Sequence, residues 1–217
     1  MTTQYKVHHH EKVGFGVNLL FTIIFYLAII GIVILVGKFA ALTLVFLFVY
    51  GGILLAFILF RHIFLIGHIK GNGIRLTTDQ FPEIYQIVDE IKNSLNIEKT
   101  PKVYLMQHGG VLNAFATRFS SQDFIVLYSD VFEIAYENKG ALKFILAHEM
   151  GHVARKHVIK QLLLFPAFFI MPFTYYLHSR SCEYTCDNIG FAFTDKESST
   201  NGMVILSAGK TLYTKIN

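Results

Sequence analysis

The sequence has little of what marks several common protein classes. Its 217 residues include only two cysteines, Cys182 and Cys186, so a disulfide framework is not indicated. Charged residues make up 16% of the chain, which is low for a soluble protein. The net charge of +4 is modest, the basic residues form no stripe, and no nucleic-acid-binding motif is present. We therefore expect no nucleic-acid partner.

Apolar residues, by contrast, are abundant. They account for 53% of the chain, and the mean hydropathy is +0.46, which indicates a membrane protein. Two uncharged runs, residues 17–36 and 39–60, each have membrane-spanning length, and only Gly37 and Lys38 separate them. We predict a transmembrane helical hairpin at residues 16–66. The first run is too long for a signal peptide, and no small-residue cleavage site closes it.

Basic residues near the two runs indicate which side of the membrane the rest of the chain occupies. Lys38 alone lies between the runs, whereas five others lie outside them: Lys6, Lys12, Arg61, Lys70 and Arg75. The positive-inside rule then places both termini and a domain at residues 67–217 in the cytoplasm, with the protein in the cell membrane. Residues 1–15, which include Glu11, are predicted to be a solvated cytoplasmic segment.

The domain at residues 67–217 combines helical and strand patterns. An apolar stripe at helical spacing predicts a helix over about residues 81–95. Short apolar runs predict strands at residues 102–106 and 124–128, with a third at 113–117 between them. Ser129 and Asp130 are expected to cap the helix that follows them.

The candidate chemistry centres on an H-E-x-x-H pattern at residues 148–152. Apolar residues lead into it and Asn138 is a plausible N-cap, so we predict a buried helix. His148 and His152, four apart, share a helix face and can bind one zinc ion. Glu149 is turned about a quarter of the way round the axis, which is the position of a general base. The alternative is two histidines and a glutamate on a solvated face, which the apolar flanks disfavour.

A third ligand is expected further along the chain. Glu183 and Asp187 share a helix face, and Arg180 lies one turn before Glu183. We predict that Glu183 completes the zinc site from a second helix, supported from outside the ligand set by Arg180 and Asp187. Asp187 would accept a hydrogen bond from a ligand imidazole. The alternative is an ordinary acidic face paired with Arg180. His157, five residues past His152, is predicted to face another way and not to bind the metal.

Residues 162–177 form a third apolar stretch, interrupted by Pro166 and Pro172. Because His152 and Glu183 must meet at one metal ion, both ends of the stretch lie on one side of the membrane. The interval is too short for two crossings. We predict a proline-broken helical segment that does not cross the membrane and packs against its surface or against the cytoplasmic end of the hairpin.

These features together resemble the HtpX-like membrane zinc metallopeptidases, relatives of the CAAX prenyl proteases. The resemblance covers about residues 14–210 and rests on the hairpin, the H-E-x-x-H pattern and two further stretches: Asn113-Ala114-Phe115-Ala116, and Ser179-Arg180 with Glu183 and Asp187. It implies one Zn²⁺ per chain on His148, His152 and Glu183, with Glu149 as base. It also implies a substrate-side edge strand at residues 113–116. The residues alone leave that strand open between peptide addition and a purely structural hairpin.

The chain departs from the family pattern in three places. Cys186 stands where alanine is common, a small change that we expect to be tolerated. Only residues 162–177 occupy an interval in which four-span members place two spans. The chain also ends soon after Lys215, so we expect either a compact member or a domain that is short at its C-terminus.

The expected fold is therefore a membrane-anchored α+β protein. A transmembrane hairpin precedes a mostly helical zincin-like catalytic domain with a small β-sheet. The expected function is a zinc endopeptidase that acts, by resemblance, on misfolded or damaged membrane proteins. A membrane-anchored scaffold or adaptor with structural or no zinc is one alternative, which Glu149 disfavours because a structural site needs no base. A prenyl-peptide processing protease is another, which the small number of spans disfavours.

Overall fold

The chain begins with two long apolar helices. A computed structural model describes residues 4–35, 40–107 and 113–208, and its first elements are α1 (His9–Leu35) and α2 (Ala40–Asn72). Both contain segments long and apolar enough to cross a membrane, with hydropathies of 2.7 for His9–Leu35 and 2.4 for Leu44–Asn72. Most of their large apolar side chains are exposed, as lipid-facing helices require. Both helices support membrane association. The predicted turn at Gly37 and Lys38 lies outside the described residues.

The start of α1 is not the solvated segment that the sequence suggested. Glu11 is 1% exposed, and the backbone N–H of His8 donates to Thr185 Oγ1 over 3.0 Å. Glu11, Asn18 and Thr22 are all buried, and their spacing of seven and four residues puts them on one side of the helix. This polar stripe packs on the protein, while the apolar remainder of α1 is exposed. The predicted division of the chain at residues 15 and 66 stays a prediction.

A small mixed sheet follows the two helices. Its strands are β1 (Gly73–Arg75), β2 (Lys102–Met106), β3 (Ala114–Phe119) and β4 (Gln122–Tyr128). They lie in the order β1-β2-β4-β3, with β2 and β4 parallel and the other pairs antiparallel. The sequence predicted β2 and most of β3 and β4. Between β1 and β2, α3 (Pro82–Ser94) buries Ile84, Val88 and Ile91 at helical spacing, also as predicted.

The central helix of the second half is α5 (Lys139–Ala154), which follows α4 (Ser129–Glu137). The Asn138 side chain accepts a hydrogen bond from the backbone N–H of Ala141 over 3.0 Å, so this predicted cap is confirmed. The predicted cap of α4 is wrong. Ser129 is already its first helical residue, and the Tyr128 side chain at the N-cap position does not cap the helix.

Four helices complete the described chain: α6 (His157–Leu163), α7 (Phe165–Ile170), α8 (Pro172–Phe193) and α9 (Lys196–Ala208). Pro166 and Pro172 each stand in the first turn of a helix, so the segment is proline-broken as predicted. It packs on α1, where Asn18 Nδ2 donates to the Thr174 carbonyl and Thr174 Oγ1 donates to Asn18 Oδ1, both over 3.0 Å. The far half of α8 lies along α5. The described chain is thus mostly helical, with a small sheet, as predicted.

Candidate functional site

Helices α5 and α8 bring three potential metal ligands together. His148 Nε2 lies 3.3 Å from His152 Nε2 and 3.3 Å from Glu183 Oε2, and His152 Nε2 lies 3.5 Å from Glu183 Oε2. Close packing of the two helices makes this possible, and Gly151 permits it. A Cβ atom at Gly151 would meet Cys186 Sγ at 3.1 Å and Ile189 Cδ1 at 3.0 Å.

The three donor atoms fit a zinc ion. Bonds of about 2.0–2.2 Å to tetrahedral zinc put neighbouring donor atoms roughly 3.3–3.5 Å apart, which matches the separations in this cluster. Two imidazole nitrogens and one carboxylate oxygen are also a donor set of catalytic zinc sites, which leave the fourth position open. His148, His152 and Glu183 could therefore hold the zinc ion that was predicted from the sequence.

Asp187 supports His148 from the other side of its ring. His148 Nδ1 lies 2.9 Å from Asp187 Oδ1, so Nδ1 carries the proton of this contact and Nε2 is the nitrogen that faces the cluster. Burial alone would lower the pKa of His148, but hydrogen bonds to Asp187 and Glu183 outweigh it and raise the pKa to about 10. The two carboxylates that favour a proton on this ring also favour a metal cation beside it.

Glu149 faces the same cavity without joining the ligand cluster. The cavity has a volume of about 400 Å³, and Glu149, His148, His152 and Glu183 all line it. Glu149 is 5% exposed, and burial raises the pKa of its carboxyl group. The neighbouring histidines and the Ala116 backbone act in the opposite direction. A carboxyl group whose pKa is moved toward neutrality is suited to proton transfer.

Strand β3 forms another wall of this cavity. Asn113, Ala114, Phe115 and Ala116 all line it, as the sequence suggested. The strand begins at Ala114 rather than Asn113, whose Oδ1 accepts a hydrogen bond from the Ala114 N–H over 2.9 Å. Among the described residues β3 pairs only with β4, so one of its edges is left without a strand partner there.

Arg180 lies away from this cluster. Its Nε donates to the hydroxyl group of Tyr184 over 2.8 Å, one turn further along α8. It also lines a different cavity, of about 390 Å³, between α1 and α8. The structure therefore brings together all the site residues expected from the sequence except Arg180.

His157 is close to the site, contrary to the sequence prediction that it faces another way. Its Nδ1 lies 3.1 Å from His152 Nδ1. A continuous helix would have turned it away, but Lys156 adopts a left-handed conformation, with φ of 56°, and ends α5. The chain then restarts as α6 at His157, which points the ring back toward His152. Cys186 Sγ lies 3.7 Å from His157 Nδ1, so His152, His157 and Cys186 form a second potential ligand group.

The comparison with protein families agrees with the chemistry of the site. Residues 78–176 match the model of peptidase family M48, a stretch just under half of the chain. It holds β2, β3, β4 and the H-E-x-x-H pattern, but it begins after β1 and ends before Glu183. The match supports a metallopeptidase of this family, and a peptidase implies polypeptide substrates. No curated protein matches the chain.

Proposed function

We propose that this protein is a membrane-anchored zinc endopeptidase with a zincin-like site, as in the HtpX-like group. In this proposal His148, His152 and Glu183 bind one Zn²⁺, and Glu149 is the general base. The observation that carries it is the set of three donor atoms 3.3–3.5 Å apart in a cavity that Glu149 also lines. The family match over residues 78–176 supports the same chemistry independently.

Different residues of the chain have different roles in the proposed hydrolysis of a peptide bond. Zinc, when bound, supplies a Lewis acid that polarises the scissile carbonyl and lowers the pKa of water. Glu149 accepts a proton from the attacking water and donates it to the leaving amine nitrogen. Asp187 holds the His148 ring in the tautomer that keeps its Nε2 free for the metal.

Strand β3 suits the binding of an extended peptide. Ala114, Phe115 and Ala116 line the cavity, and the strand edge beside it has no strand partner among the described residues. An extended substrate can pair with such an edge through backbone hydrogen bonds, which recognise no particular sequence. This geometry suits a peptidase that accepts many polypeptides, such as misfolded or damaged membrane proteins.

The proposed location follows from the two apolar helices. Together with the positive-inside distribution of basic residues, they support a protein of the cell membrane with two spans and a cytoplasmic catalytic domain. The substrates would then be cytoplasmic segments of proteins in the same membrane. A prenyl-peptide processing enzyme is disfavoured because only two candidate spans occur in the described chain, too few for a large intramembrane chamber.

The alternative to a peptidase is a non-enzymatic scaffold with a structural zinc ion. The group His152, His157 and Cys186 offers it a ligand set. Burial raises the pKa of the Cys186 thiol well above its usual range, which opposes the thiolate that zinc needs. Zinc X-ray absorption distinguishes the two, because a Zn–S bond of about 2.3 Å is longer than a Zn–N bond of about 2.0–2.1 Å.

The test of the proposed function compares full-length wild type with Glu149→Gln in detergent. Zinc content and casein cleavage are measured on the same preparations, with the exposed Glu197→Gln as the matched control. We expect one zinc ion in all three proteins and a loss of roughly 10²–10⁴-fold in cleavage rate for Glu149→Gln alone. Cleavage by Glu149→Gln near the wild-type rate would remove Glu149 as the base.

A further inference from the structure

Next to His152 lies a buried chain of polar groups that the proposed mechanism does not use, and its first member, His157, also lines the cavity. His157 Nδ1 is 3.1 Å from His152 Nδ1, and His157 Nε2 is 3.3 Å from Glu11 Oε1. His157 and Glu11 are each 1% exposed. Glu11 belongs to α1, the first apolar helix, whereas the other two flank the turn between α5 and α6.

The charges around Glu11 explain how a carboxylate can be buried in this place. Arg155 Nη2 lies 2.8 Å from Glu11 Oε1, and Lys160 Nζ lies 3.5 Å from the same oxygen. An unpaired buried carboxylate would be strongly destabilising, whereas one with charged partners is tolerated. Arg155 and Lys160 stand on either side of His157 in the chain. Glu11 therefore ties α1 to the turn that follows the H-E-x-x-H pattern.

The proton positions along this chain follow from the proposed metal site. If His152 presents the Nε2 lone pair to the metal, its proton must be on Nδ1, which then donates to His157 Nδ1. His157 must in turn carry its own proton on Nε2, which faces the Glu11 carboxylate. This arrangement orders the protons along the chain, with His157 Nε2 and Glu11 Oε1 in electrostatic contact at 3.3 Å rather than in a well-formed hydrogen bond. It gives His152 the kind of ring support that Asp187 gives His148.

We propose that His157 and Glu11 are positioning residues for the metal site, and that zinc affinity therefore depends on the carboxylate that α1 places beside the turn between α5 and α6. The inference rests on the proposed function, since it takes His152 as a zinc ligand. His157 fixes the tautomer and orientation of His152, and Glu11 fixes those of His157. Metal ligands are commonly held in this way, and loss of such a partner typically weakens metal binding about 10–100-fold.

A second buried metal ion is the competing explanation of the same cluster. Glu11, His157 and Cys182 could contact a single cation. The charges disfavour this, because Arg155 and Lys160 already offset the charge of Glu11 and would repel a cation beside it.

The test measures the dissociation constant for zinc by chelator competition, using the full chain in detergent. Glu11→Gln keeps the shape of the side chain and removes its charge, and His157→Phe removes the acceptor for His152. Asn18→Leu is the matched control, because it breaks the contact between α1 and Thr174 without touching the chain of polar groups. The absorption spectrum of the cobalt-substituted protein and the melting temperature of the metal-free protein are recorded alongside.

We expect Glu11→Gln and His157→Phe to weaken zinc binding about 10–100-fold and to change the cobalt spectrum. We expect Asn18→Leu to change neither, even if it lowers the melting temperature. His157→Asn, whose side-chain oxygen can accept from His152 Nδ1, should recover much of the affinity. That variant keeps the test decisive if His157→Phe does not fold.

Three results would overturn the inference. One is wild-type zinc affinity in Glu11→Gln, and another is an equal loss of affinity in Asn18→Leu. The third is two zinc ions in the wild type with one lost in Glu11→Gln, which would establish the buried metal instead. Failure of the proposed function looks different, because a wild type without zinc, or full zinc binding by Glu183→Ala, contradicts the metal site itself.

Discussion

Helices α2 and α5 are both apolar, but they avoid water in different ways. In α5, eleven of sixteen residues are buried by the rest of the protein. In the membrane-span candidate of α2, none of the most apolar eighteen-residue window is buried within the protein. The polar residues are also placed differently in the two helices. Arg61, His62 and Lys70 of α2 lie toward one end, whereas His148, Glu149 and His152 of α5 are held by neighbouring elements.

Polar groups within an apolar helix therefore identify the surroundings of that helix better than its mean hydropathy does. Helix α1 combines both environments. Its exposed apolar residues resemble those of α2, while Glu11, Asn18 and Thr22 mark the side that packs on the protein. Lipid offers no hydrogen bonds, so such a stripe predicts contact with protein along that side.

The largest expected effect is an all-or-none difference in membrane exposure. Lys38→Cys and Phe169→Cys are made separately in a background with Cys182→Ala and Cys186→Ala. If the hairpin crosses the membrane and residues 162–177 do not, an impermeant thiol reagent added to intact cells labels position 38 and leaves position 169 unlabelled. Labelling at position 169 from outside would put the two ends of the metal site on opposite sides of the membrane.

The next effect compares the same substitution in the two helices. Leu146 of α5 is fully buried, and Leu146→Ala should lower the free energy of unfolding by about 2–5 kcal/mol. Leu55 of α2 is 57% exposed, and Leu55→Ala should change it by less than about 0.5 kcal/mol. Denaturant unfolding of both variants in the same detergent measures the two values. Equal losses would mean that α2 is packed against protein.

A smaller effect is expected where α5 is supported by a polar neighbour. Asp187→Asn removes the charge that holds the His148 ring, and we expect zinc affinity to fall about 10–100-fold, measured by chelator competition. The overall fold should be retained, which circular dichroism can check. Unchanged affinity would show that Asp187 does not support the ligand.

The smallest effect concerns the start of α5. Asn138→Ala removes the side-chain cap of the Ala141 N–H and should lower the free energy of unfolding by about 1 kcal/mol. Ser129→Ala is the matched control, since Ser129 is the first residue of α4 and does not hold its N-cap position. A loss of similar size in both variants would contradict the cap assignment.

Features that depend on local patterns were predicted well from the sequence. The strand Lys102–Met106, the Asn138 cap and the proline-broken segment each reflect a few neighbouring residues. The pairing of Glu183 with the two histidines could also be predicted, because the residue types required by zinc restrict the choices. Glu183 lies 31 residues past His152 on a separate helix, yet the chemistry indicates the contact.

Features set by tertiary packing were missed. His157 was expected to face away because helical spacing was extended through Lys156, where the helix in fact ends. Glu11 was expected to be solvated, since its burial depends on Arg155 and Lys160, far along the chain. Arg180 was assigned to the site from its spacing to Glu183, but Tyr184 lies four residues on and takes its hydrogen bond. The one sequence feature that could have indicated the burial of Glu11 is its position as an acidic residue at the start of an apolar helix.

The zinc content of Glu183→Ala is the decisive measurement for the metal site proposed between α5 and α8. It should be measured on full-length protein purified without added chelator, beside wild type and the exposed Glu197→Ala. We expect one zinc ion per chain in the wild type and in Glu197→Ala, and little or none in Glu183→Ala, because two imidazoles alone hold zinc weakly. One zinc ion per chain in Glu183→Ala would show that the metal is held by other residues, and would contradict the site described for α5 and α8.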